Sequence, residues 1–455
     1  MKFGINNPSF LQSAGNAGSA NDYFYITSRA AGNQLSFASG LLSVFAENVE
    51  YGVNSTEDWV QLTRDTTITL NEQDTVYFRN RTGVVNNNGG TVLLDITDEF
   101  DASGNVMKLF YPGKSAVPEY GLDHLFAGLP IVSAGELKLT AKTIGENAYK
   151  SMFYKCTSLT VAPELPATIL ADRCYSRMFY GCTSLTVAPE LPATILANRC
   201  YESMFCNCEN LTDTPELPAT ILADSCYGSM FEHCTSLTTV HKIHATILAD
   251  LCCSYMFYEC TSLTVAPELP ATILAESCYS GMFYGCTSLT VASDLPATIL
   301  AHECYSYMFY ECTSLTVAPE LPSTNLADSC YLSMFYGCTS LTVAPELPAT
   351  ILADRCYESM FYECDNLTAA PELRATVLAD GCYSSMFYSC GNLKSITCLA
   401  KNISERDCKG WVIYVSTSGT FTKAAGVEWP TGYNGIPSDW TVQENAGNDF
   451  EVGEL

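Results

Sequence analysis

Apolar residues in this chain fall into columns. The dipeptide Met-Phe recurs at Met152, Met178, Met204, Met230, Met256, Met282, Met308, Met334, Met360 and Met386, always 26 residues apart and without insertion. A fixed short period is the mark of a solenoid, in which each unit buries its apolar face only against its neighbours. Within the unit CYSRMFYGCTSLTVAPELPATILANR, Cys174, Met178 and Cys182 fall at four-residue steps, and Tyr175 and Phe179 form a second pair. The spacing predicts one apolar helical face two to three turns long, with Asp172 as N-cap. The equivalent column, Asp172, Asn198, Asp224, Asp250, Glu276, His302, Asp328, Asp354 and Asp380, holds mostly good capping residues. Residues 158–162 (SLTVA) alternate as a short strand that Pro163 ends, and residues 167–171 (ATILA) read as a second extended segment. Stacked at about 4.8 Å per coil, ten such units would form parallel ladders roughly 45–50 Å long. The fold expected here is a leucine-rich-repeat-like solenoid of short parallel strands and short helices.

The flanks follow other patterns. Tyr23–Thr27, Leu41–Phe45, Asp58–Leu62, Thr66–Leu70, Thr75–Phe78 and Thr91–Ile96 are short alternating runs, punctuated by turn formers such as Asn86-Asn-Asn-Gly-Gly90. They predict a small all-β domain, an Ig-like sandwich. The layout is an N-terminal arm (1–22), a β-sandwich docking domain (23–118), a solenoid cap (119–147), the repeats (148–397), and a C-terminal cap and tail (398–455). In the first cap, Leu122-Asp-His-Leu-Phe-Ala-Gly-Leu129 reads as a degenerate unit one residue out of phase with Met152. In the last, Trp411, Trp429 and Trp440 are suited to covering the final coil, with a sugar platform as the alternative.

Composition narrows the function. The 455 residues carry 22 Lys+Arg against 49 Asp+Glu, a formal charge of -27, spread along the whole chain. An acidic surface repels phosphate, which disfavours nucleic acid and anionic membranes as partners. No stretch approaches the roughly 18 apolar residues of a membrane span. The first residues lack the apolar core of a signal peptide, so export by the general secretion route is not expected.

No catalytic residues and no cofactor are read from the sequence. Gly113-Lys114-Ser115 lacks the upstream glycine of a phosphate loop, His302-Glu303 lacks a second histidine, and no nucleophile elbow is present. The 23 cysteines lie mainly in two columns, Cys174–Cys382 and Cys156–Cys390, at C-x7-C spacing, unlike a zinc or redox pair. They read as buried, reduced thiols filling a narrow coil, while Cys398 and Cys408 are candidates to pair in the cap. One unit departs from the pattern: His233, His241, His244 and Cys252-Cys253 gather near Cys206 and Cys208. Drift of a repeat explains them, with zinc as the sharper alternative, and no metal site is assigned.

Two further columns bear on binding. Tyr154, Tyr180, Tyr258, Tyr284, Tyr310, Tyr336, Tyr362 and Tyr388 follow Met-Phe, interrupted by Cys206 and Glu232; a second tyrosine column runs from Tyr149 to Tyr383. At least one should face solvent. Glutamates recur at a turn, one per coil. Tyr258, Tyr284, Tyr310, Tyr336 and Tyr362, beside Glu268, Glu320 and Glu346, form a candidate stripe for stacking on sugars or for a protein interface. The alternative is that tyrosine simply covers the coil edge. The columns at 173, 176, 177 and 181 vary most between units and are expected to point outward.

The stretch Met178-Phe-Tyr-Gly-Cys182-Thr-Ser-Leu185 resembles the Ala-Phe-x-x-Cys-x-x-Leu signature of BspA-like leucine-rich repeats, with Met in the Ala position. The variant with Ala-Pro-Glu-Leu-Pro-Ala-Thr is similar to arrays of Bacteroidales bacteria and their phages, crAss-like and other. Gly419–Gly426 and Gly435–Val442 resemble the tail that often closes phage-associated arrays. The resemblance implies adhesion and recognition, not catalysis. It favours a phage virion appendage, a tail or head fibre or decoration protein. Its partners would be other virion proteins, through the arm and β domain, and a bacterial surface glycan or protein, with a homo-oligomer possible. A bacterial cell-surface adhesin and a purely architectural virion subunit are the rival expectations.

Overall fold

The computed structural model describes residues 23–37, 47–63, 65–82 and 94–445. The N-terminal strands are β1 (Phe24–Ser28), β2 (Asn33–Phe37), β3 (Val49–Val53), β4 (Val60–Gln61), β5 (Thr67–Leu70), β6 (Thr75–Asn80), β7 (Leu94–Ile96) and β8 (Phe100–Asn105). Alternation places Phe24 and Ile26 of β1, Leu35 and Phe37 of β2, and Val76 and Phe78 of β6 in the core. One sheet runs β8-β1-β6-β3-β4, all antiparallel, and a smaller one β5-β2-β7. The sheets meet where the Phe37 ring packs edge-on against Phe78, 5.8 Å between centroids.

Alternating runs marked β1, β4, β5, β6 and β7 in the sequence. The Leu41–Phe45 run lies outside the described residues. Strands β2, β3 and β8 carry weaker patterns. β8, FDASGN, has no β-branched residue, and Gly104 takes a positive φ of 75° where a Cβ would lie 1.8 Å from the Tyr23 carbonyl oxygen. A five-residue helix follows, α1 (Val106–Phe110), with Asn105 Oδ1 accepting from Met107 N–H at its start.

The sandwich and the solenoid share a sheet. After β9 (Ala116–Val117), strands β10 (Ile131–Ser133) and β11 (Leu137–Lys138) pair in parallel with β8, and β12 (Thr143–Ile144) pairs with β9. Phe126 lies 6.3 Å from Phe24, 6.5 Å from Phe100 and 5.3 Å from Phe153, so one aromatic column runs from the sandwich into the repeats. The degenerate first unit keeps its one-residue offset. Leu122 donates to the Ala148 carbonyl and Phe126 to that of Met152, a full repeat length onward. Tyr149 donates to Cys174 and Phe153 to Met178, one position short of a repeat.

The repeats contain no α-helix among the described residues, and here the helical expectation fails. In an α-helix each N–H bonds to the carbonyl four residues back. In this array alternate N–H groups part company. Cys174, Ser176, Met178, Tyr180 and Cys182 donate three residues back, to Ala171, Arg173, Tyr175, Arg177 and Phe179. Arg173, Tyr175, Arg177, Phe179 and Gly181 donate to the next coil, to Asn198, Cys200, Glu202, Met204 and Cys206. Every fourth residue is left-handed: Arg173 (φ 54°), Arg177 (56°) and Gly181 (71°), and the same three columns in later coils. The segment is a string of tight turns with a period of four. An i, i+4 spacing fits that string as well as it fits a helix, so the inward columns are right although the backbone differs.

The capping column is corrected with it. Asp172 Oδ1 accepts from Asn198 N–H (3.1 Å), Asn198 Oδ1 from Asp224 N–H (3.2 Å), and Asp354 Oδ1 from Asp380 N–H (3.1 Å), so each side chain caps the coil above rather than its own. The two predicted strands shrink to single parallel bridges, such as Val265↔Val291 and Ile273↔Ile299. At the far end, β13 (Ser395–Cys398), β14 (Thr420–Ala424) and β15 (Thr441–Asn445) form a parallel sheet. Trp411, Trp429 and Trp440 are all buried, and their indole N–H groups donate to the carbonyls of Gly435, Ala400 and Ser416. They cover the last coil and offer no ring face to a sugar.

The left-handed column gives a sign test. Glu363 is exposed with φ 58°, in the column where Gly285 and Gly337 stand with φ 69° and 67°. Glu363→Gly is expected to stabilise the fold by about 1 kcal/mol, by removing left-handed strain from a residue with a Cβ. In an α-helix the same change would destabilise by about as much. Denaturant unfolding of the two proteins distinguishes the cases, and a loss of stability would contradict the turn string.

Candidate interaction surfaces of the repeat array

Besides the buried Met, Leu and Cys174–Cys382 columns, three inward columns show how the packing is made. The Phe column stacks from Phe153 to Phe387 at 5.4 to 5.8 Å between centroids, closing on Trp411. The Tyr149–Tyr383 column is buried beside it, nearly parallel ring on ring, broken only by Cys253. Buried hydroxyls of Tyr149, Tyr175, Tyr201 and Tyr279 have no hydrogen-bond partner. In the third, every thiol from Cys156 to Cys390 donates to a Phe carbonyl of the coil before it; Cys286 Sγ to Phe257 O is 3.1 Å.

All 23 cysteines are buried and none is in a disulfide, so Cys398 and Cys408 do not pair. Burial pushes the thiols of Cys156, Cys174, Cys286 and Cys304 up to about 12. The thiolate is the reactive form, so these columns are chemically quiet near neutrality.

The other tyrosine column is half-buried at the coil edge. Tyr258, Tyr284, Tyr310, Tyr336, Tyr362 and Tyr388 stack in sequence at 4.3 to 4.8 Å, and Tyr414 closes the stack edge-on. Desolvation raises the Tyr258 hydroxyl to about 12, with neighbouring Glu259 adding to the shift. The carboxylates acting on this ladder are Glu232, Glu259, Glu311 and Glu363.

Glu268, Glu320 and Glu346 are exposed on the Pro-Glu-Leu-Pro turn, in the column of Glu164 and Glu190. Glu164 and Glu190 line a groove of roughly 660 Å³ whose walls include Val161, Pro163, Val187 and Pro189 and no tyrosine. The candidate stripe therefore divides into a tyrosine ladder with its own acids and a glutamate row beside aliphatic residues. Of the variable columns, Ser176 and Ser306 are buried, against the outward expectation, while Arg177 is exposed.

A feature the sequence reading missed is the apolar character of the bridged face. Val161, Val187, Val265, Val291, Val317 and Val343 form one exposed column, with Val187 69% accessible. Ile169, Ile195, Ile221, Ile247, Ile273, Ile299 and Ile351 form a second, with Ile195 79% accessible. The signal was present, since Thr-Val and Thr-Ile each place two consecutive residues outside an alternating strand. Repeated apolar residues on one exposed face are the kind of surface that an interaction would cover.

The histidines of the divergent unit do not meet its cysteines. His233 Nδ1 lies 3.2 Å from Glu259 Oε2, and the ring packs edge-on against Tyr258. His241 Nδ1 lies 2.6 Å from the Thr214 carbonyl, while Cys206, Cys208, Cys252 and Cys253 are buried. No group of three metal-ligating side chains is placed to hold an ion among the described residues. No helix among them is long and apolar enough to cross a membrane.

Stacked coils, a continuous core and long repeated surfaces define a solenoid scaffold of the recognition class. The chain belongs to the family of the BspA type leucine rich repeat region, whose model matches in six copies over residues 123–264, 229–368 and 306–407. No curated protein matches the sequence. Among solved structures, TLR13 in a complex with ssRNA13 is 14% identical with a TM-score of 0.28, covering 70% of this chain and 46% of its own. An internalin (inlF) from Listeria monocytogenes is 13% identical with a TM-score of 0.24, covering 70% of this chain and 86% of its own.

The buried thiols and phenols set a pH dependence. Their folded values lie above the ordinary 9.0 and 10.0, so the stability is fully present below pH 9 and is lost as pH climbs toward the folded values. Melting temperature is expected to be flat from pH 7 to 8.5 and to fall steeply above about pH 9. A melting temperature unchanged at pH 10.5 would contradict the burial of these columns.

Proposed function

We propose that this protein is a non-enzymatic recognition component of a phage virion, a fibre or decoration protein whose array engages a bacterial surface ligand. The observation that supports the recognition reading best is the bridged face, with exposed Val and Ile columns repeated coil after coil. Contacts repeated along such a ladder add up to avidity without any single strong site. The virion location rests on the likeness of the Ala-Pro-Glu-Leu-Pro-Ala-Thr units and the C-terminal segment to phage-associated arrays. The sandwich joins the first coils through β8, β10 and β11, which suits it to hold the array rigidly against an assembly. One observation also favours a purely architectural role: a face that is nearly the same in every coil can stack on a neighbouring subunit as readily as on a host.

Immunogold electron microscopy of virions from the source, with antibody against the 26-residue unit, tests the location. Gold on particles is expected, and its position separates head decoration from tail fibre. Unlabelled particles beside labelled bacterial cell surfaces would establish the cellular adhesin instead. Purified protein is expected to bind intact gut-bacterial cells and to lose that binding when surface glycans or proteins are stripped. Binding to no strain, with particles still labelled, would leave the architectural role.

A further inference from the structure

The glutamate row and the valine column meet in the groove over residues 160–166 and 186–192. Its floor is aliphatic, with Val161 and Val187 exposed beside Pro163 and Pro189, and its lining includes Glu164 and Glu190 but no basic residue. Burying the valines beside an apolar partner is favourable. Leaving two carboxylates unpaired at its edge is not, unless the partner brings positive charge. A second copy of this chain would bring another acidic surface, given its charge of -27. Sugar rings stack on aromatic faces, and none lines this groove.

The array shows what the carboxylate row accepts. Arg374 stands where most coils have the second proline of Pro-Glu-Leu-Pro. Its Nη2 donates to Glu346 Oε2 at 2.9 Å and its Nε to Glu372 Oε2 at 3.0 Å, so one guanidinium joins two coils. Lys242, which occupies the glutamate column, reaches Glu268 of the next coil and holds that carboxyl below its usual range. These cations of the chain on this strip are taken up by carboxylates of the row.

We propose that the groove over Glu164 and Glu190 docks a basic, apolar segment of a partner protein. Its aliphatic side chains lie on Val161, Val187 and the prolines, and an arginine or lysine sits between the two carboxylates as Arg374 sits between Glu346 and Glu372. This assignment rests on the recognition reading above and names the chemistry of the partner.

The probe is a short photo-crosslinking peptide of alternating valine and arginine, applied to the full chain, with crosslinks mapped by mass spectrometry and affinity read by fluorescence anisotropy. Crosslinks are expected in residues 160–166 and 186–192. Affinity at that site is expected to fall about tenfold in the Glu164→Gln/Glu190→Gln double variant and again in Val161→Thr/Val187→Thr. Arg374→Gln frees Glu346 and Glu372 and is expected to create crosslinks there. Equal binding of a valine-glutamate peptide, crosslinks unchanged in the double glutamine variant, or binding of a neutral glucan in place of the peptide would each overturn the assignment. Cell binding separates the two claims. A double variant that loses the peptide yet binds cells fully overturns this site and leaves recognition standing, whereas wild-type protein that takes the peptide but binds no cells overturns host recognition alone.

Discussion

Everything in this molecule depends on where alternate backbone N–H groups go. In the turn string one half of them close tight turns within a coil, and the other half reach the coil above, as Tyr175 reaches Cys200 and Phe179 reaches Met204. This pattern requires a left-handed residue every fourth position, a cost of roughly 1 kcal/mol for each residue bearing a Cβ. The bonds between coils offset it. Because each coil is fixed to the next by a ladder of such bonds, a residue in one coil lies over its equivalent in the next. Columns of identical side chains follow from that registration.

Registration explains the composition of the core. A narrow coil stacked on copies of itself favours flat rings and small groups, since these stack on themselves without clashing. Phe and Tyr ladders fill two columns and cysteine fills others, its thiol bonded to a carbonyl of the previous coil. The ends need different solutions. At the front the column runs on into the sandwich through Phe126, and a sheet shared with β8 replaces the missing coil. At the back Trp411 stacks on Tyr383, and the last coil shortens: Phe387 donates to Trp411, a step one position shorter than the one from Phe361 to Met386.

The same registration makes surfaces. An outward residue becomes a stripe whether or not it has a function, which is why the tyrosine ladder and the glutamate row are equally regular. The Val and Ile columns differ in kind, because exposing them carries a continuing free-energy cost that a solvated glutamate does not. The divergent coils interrupt the Val column and the tyrosine ladder together, while Ile221 and Ile247 carry the Ile column through them. Asp213 and Thr239 replace Val in the bridged column, and Cys206 and Glu232 break the tyrosine ladder. A ligand that lies along the Val column meets a polar break in these coils.

Period and side-chain type by themselves determined that this chain is a solenoid and that its Met, Phe, Cys and Leu columns enter the core. Met178, Phe179, Cys182 and Leu185 are inward because so short a repeat leaves no other place for them. The backbone was beyond the sequence. Four-residue spacing is common to a helix and to a string of turns, and only the bonds between coils, such as Phe179 to Met204, select the turns. For the same reason Asp172 reads as a cap for its own segment and in fact serves the next. The surfaces divide likewise: the tyrosine and glutamate columns were legible one residue at a time, but which acids face which rings depends on the coil's cross-section. Tertiary structure alone set Glu164 and Glu190 beside exposed valines, because that juxtaposition joins two segments of a coil to the same segments of its neighbour.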